Sequence, residues 1–193
     1  MIQSSQPYPD MHVKGGLLRA RFLFVALNHS TDLWTQILAR LSEEDRQLLA
    51  EITIDNWYPL GLLDQIDRAI AEEIGGSEED VFAALGEFSA TTSLSGPYSS
   101  LLNPDIQSFL NQSALIHHAY QDFGEARYEE LSETSGLLTI KYNPAPPVSF
   151  CTSGAAYFRR AIELCGAQSA RVTHTRCSSR GDSVCEFYIT WQA

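Results

Sequence analysis

The sequence predicts an α+β fold, an N-terminal helical layer packed on a C-terminal four-stranded antiparallel sheet. Three observations carry this reading. Apolar residues recur at helical spacing from residue 15 to residue 123. The period then switches to alternation around Ala126, Tyr128, Leu138, Ile140 and Tyr142. A last helix and a second alternating pair of segments follow, and two hairpins with helices against one face close naturally into one sheet. With 193 residues the chain is long enough for one domain with a self-sufficient core.

The elements follow in order. Residues 1–13 are polar, contain Pro7 and Pro9, and read as a flexible tail. The domain proper spans 14–193. Gly15 and Gly16 precede the apolar run LLRARFLFVAL, a helix ending near Asn28. Leu33, Trp34, Ile37, Leu38 and Leu41 form a second helical stripe. Ser42 with Asp45 resembles a capping box before Leu48, Leu49 and Ile52. Leu60, Leu63, Ile66, Ile70 and Ile74 repeat until Gly75-Gly76 stops them. Ser77 and Asp80 open the next helix, and Asn103-Pro104 the one carrying Phe109, His117 and Tyr120. From 124 onward the chain reads as hairpin, helix (151–165) and hairpin, with SETSG and SSRGDS as the turns. The proline run 143–147 interrupts regular structure between the first hairpin and the helix.

Charge separates the two parts. Residues 32–133 hold 20 acids and 4 bases; residues 134–193 hold 3 acids and 6 bases. The net charge of −11 argues against a sequence-independent nucleic-acid binder, which sets cations against phosphates. No apolar stretch is long enough for a membrane span, and the N-terminus lacks the cationic start of a signal peptide. The expected location is cytoplasmic, with reduced thiols. No phosphate-binding loop, dinucleotide fingerprint, nucleophile elbow or HExxH occurs, which argues against an NTPase, a dinucleotide enzyme, an α/β hydrolase or a zinc protease but not against every enzyme; the expectation of a non-enzymatic module comes with the sensory reading below.

All four cysteines lie in the last third. Cys177 and Cys185 flank the final turn, His174 stands three residues before Cys177, and Cys151 opens the preceding helix. Three sulfurs and an imidazole suit a closed, tetrahedral structural zinc site. Unligated core cysteines, a Cys177–Cys185 disulfide, or an all-cysteine site using Cys165 are the alternatives. Cys165 falls on the apolar stripe of its helix. A strict strand would put His174 and Cys177 on opposite faces, so the site requires the backbone to turn between them.

Cys151, Gly154, the run Arg-Val-Thr-His-Thr-Arg-Cys (171–177), Arg180-Gly181-Asp182, Val184-Cys185-Glu186-Phe187 and Ile189 together resemble the 4-vinyl reductase domain family. That resemblance implies Cys151, Cys177 and Cys185 as zinc ligands, with His174 where the family has Glu. The family shares a superfamily with haem-NO-binding domains and Golgi-trafficking (TRAPP-type) subunits. Gly before the first helix, Trp34, and FLNQSALIH (109–117) resemble the haem proteins, which makes His117 the candidate axial ligand; a helix-packing role is its alternative. The Tyr-x-Ser-x-Arg motif that grips haem propionates is absent, and Gln121-Asp122-Phe123-Gly124 replaces the YPG that follows the ligand. The expected cofactor is therefore structural zinc rather than haem.

The resemblance also implies an apolar pocket between helices and sheet, for which Trp57, Tyr58, Phe88, Phe109, His117, Tyr120, Tyr128 and Tyr142 are candidate lining residues. The expected function is a bacterial sensory or regulatory module that binds a small apolar or aromatic molecule. It would pair as a homodimer and signal through a separate effector protein. A haem-based gas sensor using His117, an accessory to tetrapyrrole reduction, and an adaptor docking a basic partner on the acidic face are the alternatives.

Overall fold

The computed structural model describes residues 8–192. The order is β1 (His12–Lys14), α1 (Gly15–Asn28), α2 (Thr31–Ala39), α3 (Glu43–Ala50), β2 (Trp57–Pro59), α4 (Leu60–Ile74), α5 (Glu78–Leu94), α6 (Ile106–Leu115), β3 (Glu125–Ser132), β4 (Ser135–Lys141), α7 (Val148–Leu164), β5 (Ser169–Arg176) and β6 (Cys185–Gln192). Single 3-10 turns occupy Ser99–Leu101, His117–Ala119 and Ser178–Arg180. The sheet is antiparallel in the order β3-β4-β6-β5. This is the α+β architecture that the change of period predicts.

Local chemistry sets most boundaries. Ser30, Ser42, Ser77 and Asp105 each accept an N–H from the first turn of their helix. Ser42 Oγ accepts the Asp45 N–H at 3.1 Å, as in a capping box, and its hydroxyl donates to the Asp45 carboxylate at 2.7 Å. Along β6, Cys185, Phe187, Ile189 and Trp191 are buried, while Tyr188 and Gln192 face out. Ala161 and Ile162 of α7, and Cys165 directly after it, belong to the same core. α5 packs on α7 at very short range: a methyl at Gly86 would stand 2.0 Å from the Ser153 carbonyl oxygen, so only glycine permits this approach.

The structure corrects three boundaries. Of the expected tail, residues 1–7 lie outside the described residues, but His12–Lys14 form β1 and pair with Trp57–Pro59. Met11 and Val13 are core residues, because the alternation of apolar with polar side chains here is that of a short strand. The helix opened near Asn103-Pro104 takes Asp105 as its cap and ends at Leu115, so His117 and Tyr120 leave the helix. The last helix starts at Val148, directly after Pro147, which places Cys151 in its first turn.

Arg21 is the most consequential core residue. It is 1% exposed, as is Asp67 of α4. Its guanidinium donates to both Asp67 carboxylate oxygens, at 2.8 and 3.1 Å. It also donates to Ser89 Oγ of α5 at 2.6 Å and to Ser153 Oγ of α7 at 3.1 Å. One side chain thus ties four helices. Removing one partner of such a pair strands a buried charge, at a cost of about 3–5 kcal/mol, whereas replacing both by apolar residues is often neutral. Arg21→Met should lower the unfolding free energy by about that amount in urea titrations, and Arg21→Met with Asp67→Leu should recover most of it. Equal losses in the single and double variants would contradict this assignment.

Candidate functional site

A cavity of about 490 Å³ opens between α1, α5, α6 with its following turn, and α7. That lies within the range of small-molecule and cofactor sites, roughly 300–1,000 Å³. Its walls are mainly apolar: Leu17, Ala20 and Leu23 from α1, Leu94 from α5, Phe109 and Ile116 near the end of α6, and Phe150 from α7. Ile140, Tyr142 and Phe187 close it toward the sheet. Polar groups are few and placed apart. Arg21, Ser89 and Ser153 form one patch, Ser93, Tyr98 and Tyr157 another, and Lys14 and Arg19 add two cations.

His117 lines the cavity from the turn after α6. Burial holds its imidazole below the usual histidine range, so the ring is neutral near pH 7. The Phe123 carbonyl accepts from Nε2 at 3.0 Å, which leaves the lone pair of the neutral ring on Nδ1. The Gln121 amide lies 2.9 Å from the same nitrogen. β1 holds this segment in place. Lys14 N–H donates to the Tyr120 carbonyl, Asp122 N–H donates to the His12 carbonyl, and the His12 ring pairs with the Asp122 carboxylate at 2.7 Å. Lys14 also lies over the Trp57 ring, 3.9 Å from its centroid.

Of the eight pocket residues expected from the sequence, Phe109, His117, Tyr120 and Tyr142 line the cavity. The other four do not. Trp57 is 42% exposed on β2, and Tyr58 is core, its hydroxyl accepting from Thr53 N–H. Phe88 packs edge-on against Phe24, and Tyr128 donates to Gln107. Trp57 and Tyr58 are conspicuous as adjacent aromatics before Pro59, but none of the four reaches the cavity lining. Tyr98, Tyr157, Arg21 and Ser153 line it without having been singled out. An arginine inside an otherwise apolar helical run is the signal that points to a buried polar floor.

The cysteine constellation assembles only in part. The Cys151, Cys177 and Cys185 sulfurs all lie within 4.8 Å of one another, a set that could hold a metal ion. A register shift between His174 and Arg176 supplies the backbone turn that the spacing demanded. His174 nevertheless stays outside the set. Its ring stacks on Phe187 at 4.3 Å, and its buried Nε2 has no hydrogen-bond partner. The Cys151 hydrogen bond draws the Cys185 thiol well below its usual range, helped by His174 and by the Ser178 hydroxyl and N–H; Cys151 is raised by the same bond and by burial. Cys165 is buried apart, at the end of α7.

No protein-family model matches the sequence, and no curated protein does. Solved structures match in fold. An H-NOX protein from S. oneidensis in the Fe(II)NO ligation state shares 16% identity, with a TM-score of 0.73, over 93% of this chain and 99% of that one. An unliganded Fe(II) H-NOX protein from K. algicida shares 14%, with a TM-score of 0.70, over 93% and 97%. A structure concerned with heme redox potential and protein-induced porphyrin distortion shares 11%, with a TM-score of 0.68, over 93% and 99%. At these identities the likeness shows the fold, and the chain has the H-NOX-like fold. It also corrects the expectation that ranked structural zinc above haem. The neighbours are described in iron-ligation and porphyrin states, and this chain has a cavity of about 490 Å³ rather than a filled core between its helices and sheet. No helix among the described residues is long and apolar enough to cross a membrane.

The neutral state of His117 has a pH consequence. Its pKa in the fold lies below the unfolded value, near 6.5, so the unfolded chain takes up the proton first. The contribution to stability is complete above that value and is lost as pH falls through and below it. Unfolding free energy should drop between pH 7 and pH 5 more steeply in the wild type than in His117→Gln. Parallel profiles would refute the assignment.

Proposed function

We propose that the chain is a non-enzymatic, haem-based gas-sensor module in which His117 supplies the axial ligand. The observation that carries this reading is a neutral imidazole on the wall of an apolar cavity of about 490 Å³, in a fold shared with H-NOX proteins. The residues present fit the group. Leu17, Leu23, Phe109, Ile116 and Phe150 would contact the macrocycle, and Lys14 and Arg19 would face its carboxylates in place of the missing Tyr-x-Ser-x-Arg motif. Bound haem supplies the iron that takes a diatomic gas. The chain's own work is to keep His117 unprotonated, orient its ring through Phe123 and Gln121, and exclude water with the apolar walls.

The C-terminal resemblance to the 4-vinyl reductase domain family belongs to the same proposal, as a neighbouring branch of this fold. A sensor of this kind needs an output. A separate effector protein and pairing through the N-terminal helices would provide one, and α1 leaves Phe22 and Leu27 exposed for such contacts.

Purified protein mixed with haem should develop a Soret band that saturates at about one haem per chain, and nitric oxide or carbon monoxide should shift it. His117→Gly should lose most of the bound haem, with partial rescue by added imidazole. Protein that stays colourless after haem addition would end this reading.

A further inference from the structure

A second pocket, of about 260 Å³, opens among α1, α2 and α3. Its apolar walls are Leu18 and Phe22 of α1, Trp34 and Leu38 of α2, and Leu49 of α3. Leu18 and Phe22 stand four residues apart on one stripe of α1, while Leu17, Ala20 and Leu23 turn another stripe to the larger cavity. Arg19 lies between the two stripes and borders both spaces. The volume falls just under the roughly 300–1,000 Å³ of drug-sized sites, so it suits a molecule of fewer atoms. Leu18 is buried, but Phe22 stays 42% exposed, its ring edge-on to Trp34 at 5.4 Å between centroids. A large apolar ring is therefore left half in water beside a space that an apolar chain could fill.

Two guanidiniums border this pocket, and no acid lines it. That is notable in a segment where acids far outnumber bases. Arg40 there answers Glu72 and Glu73, and Arg68 answers Asp64. Arg46 is fixed across the end of α2, donating to the Leu38 and Leu41 carbonyls at 3.4 and 2.8 Å and to the Glu43 carboxylate at 2.6 Å. A guanidinium has five N–H donors, so Arg46 keeps donors in reserve. Its partner Glu43 lies in solvent, where such a pair is weak and exchangeable. Arg19 is exposed and has no ion pair or hydrogen bond among the described residues.

We propose that this second pocket binds a small amphipathic carboxylate, a medium-chain aliphatic acid. Its chain lies against Leu18, Phe22 and Trp34, and its carboxylate meets Arg19 and Arg46. The chain takes the exposed apolar surface out of water. The carboxylate gives the guanidiniums a charge-assisted partner with matching planar geometry. An inorganic anion would leave the apolar walls uncovered, and a neutral chain would leave the two cations unanswered. The site is separate from the one assigned to haem, and the proposal does not rest on that reading.

The test titrates the full, haem-free chain with octanoate by calorimetry and locates the bound acid by NMR. Octanoate should bind saturably at a single site, and octan-1-ol should bind more weakly by about tenfold, the effect of losing a charge-assisted hydrogen bond. Arg19→Gln should weaken octanoate by about the same factor and leave octan-1-ol unchanged. Leu38→Trp should fill the pocket and abolish binding. Should that variant fail to fold, the wild-type NMR measurement still decides: nuclear Overhauser contacts should join the octanoate methylenes to the Phe22 and Trp34 rings. No binding, equal affinity for the acid and the alcohol, an Arg19→Gln chain that binds octanoate as tightly as the wild type, or contacts to Phe109 and Phe150 of the larger cavity instead would each overturn the proposal. Because the protein is haem-free, failure here and failure of the haem reading are separate results.

Discussion

The buried Arg21–Asp67 pair is the constraint on which the helical layer depends. A charge taken out of water is tolerated only where its donors and acceptors are met. Arg21 meets that condition by drawing Asp67, Ser89 and Ser153 to one point, from three different helices. Burial holds the Asp67 carboxyl above its usual range, and the adjacent guanidinium offsets only part of that rise. Three residues earlier on α4, Asp64 accepts the Ser149 hydroxyl at 2.7 Å and the Arg68 guanidinium at 3.0 Å. α4 therefore presents two acids one turn apart, one to α1 and one to the start of α7. The short approach at Gly86 completes the arrangement, since α5 and α7 must meet closely for both serines to reach the same arginine.

The same constraint shapes the cavity. Arg21, Ser89 and Ser153 lie on its wall, so the polar groups that fasten the helices also floor the space they enclose. Side chains that fasten helices point toward that knot and cannot also fill the space beside it. Most of the remaining lining is apolar, and it would fill with packed side chains if the helices could close further. They cannot, because the arginine fixes their separation. At the other end β1 secures the His117 turn through backbone bonds and the His12–Asp122 pair, so the imidazole is positioned by a segment more than 100 residues away in sequence.

How much of this was legible depended on whether the cause was local. Period and caps are local, so the helices from Gly15 to Leu94 and both hairpins follow from the residues themselves. The three-sulfur cluster was legible because a hairpin turn brings Cys177 and Cys185 together whatever surrounds them. β1 was missed because three residues beside Pro7 and Pro9 resemble a tail until Trp57–Pro59 pairs with them. His117 was placed in a helix because its spacing continues the stripe of α6, whereas the chain leaves the helix to bring Tyr120 and Asp122 to β1. Trp57 and Tyr58 drew attention as adjacent aromatics, although which side of α1 holds a space is decided by tertiary packing alone. Arg21 carried the strongest hidden signal, but a charge in an apolar run reveals its partner only when the fold is known.

The missing propionate motif and the retained fold bear on different questions. A motif records one way of holding a ligand's charged rim, and its loss says nothing about the space behind the rim. That space lies beside the point at which Arg21 joins four helices, and the β1-clamped turn sets His117 on its wall. The fold itself is shared with the solved H-NOX structures at 11–16% identity. Fold by itself does not assign chemistry. The proposal rests on the coincidence of a neutral imidazole, a mainly apolar cavity and two cations on its lining, three features that no single stretch of the sequence contains.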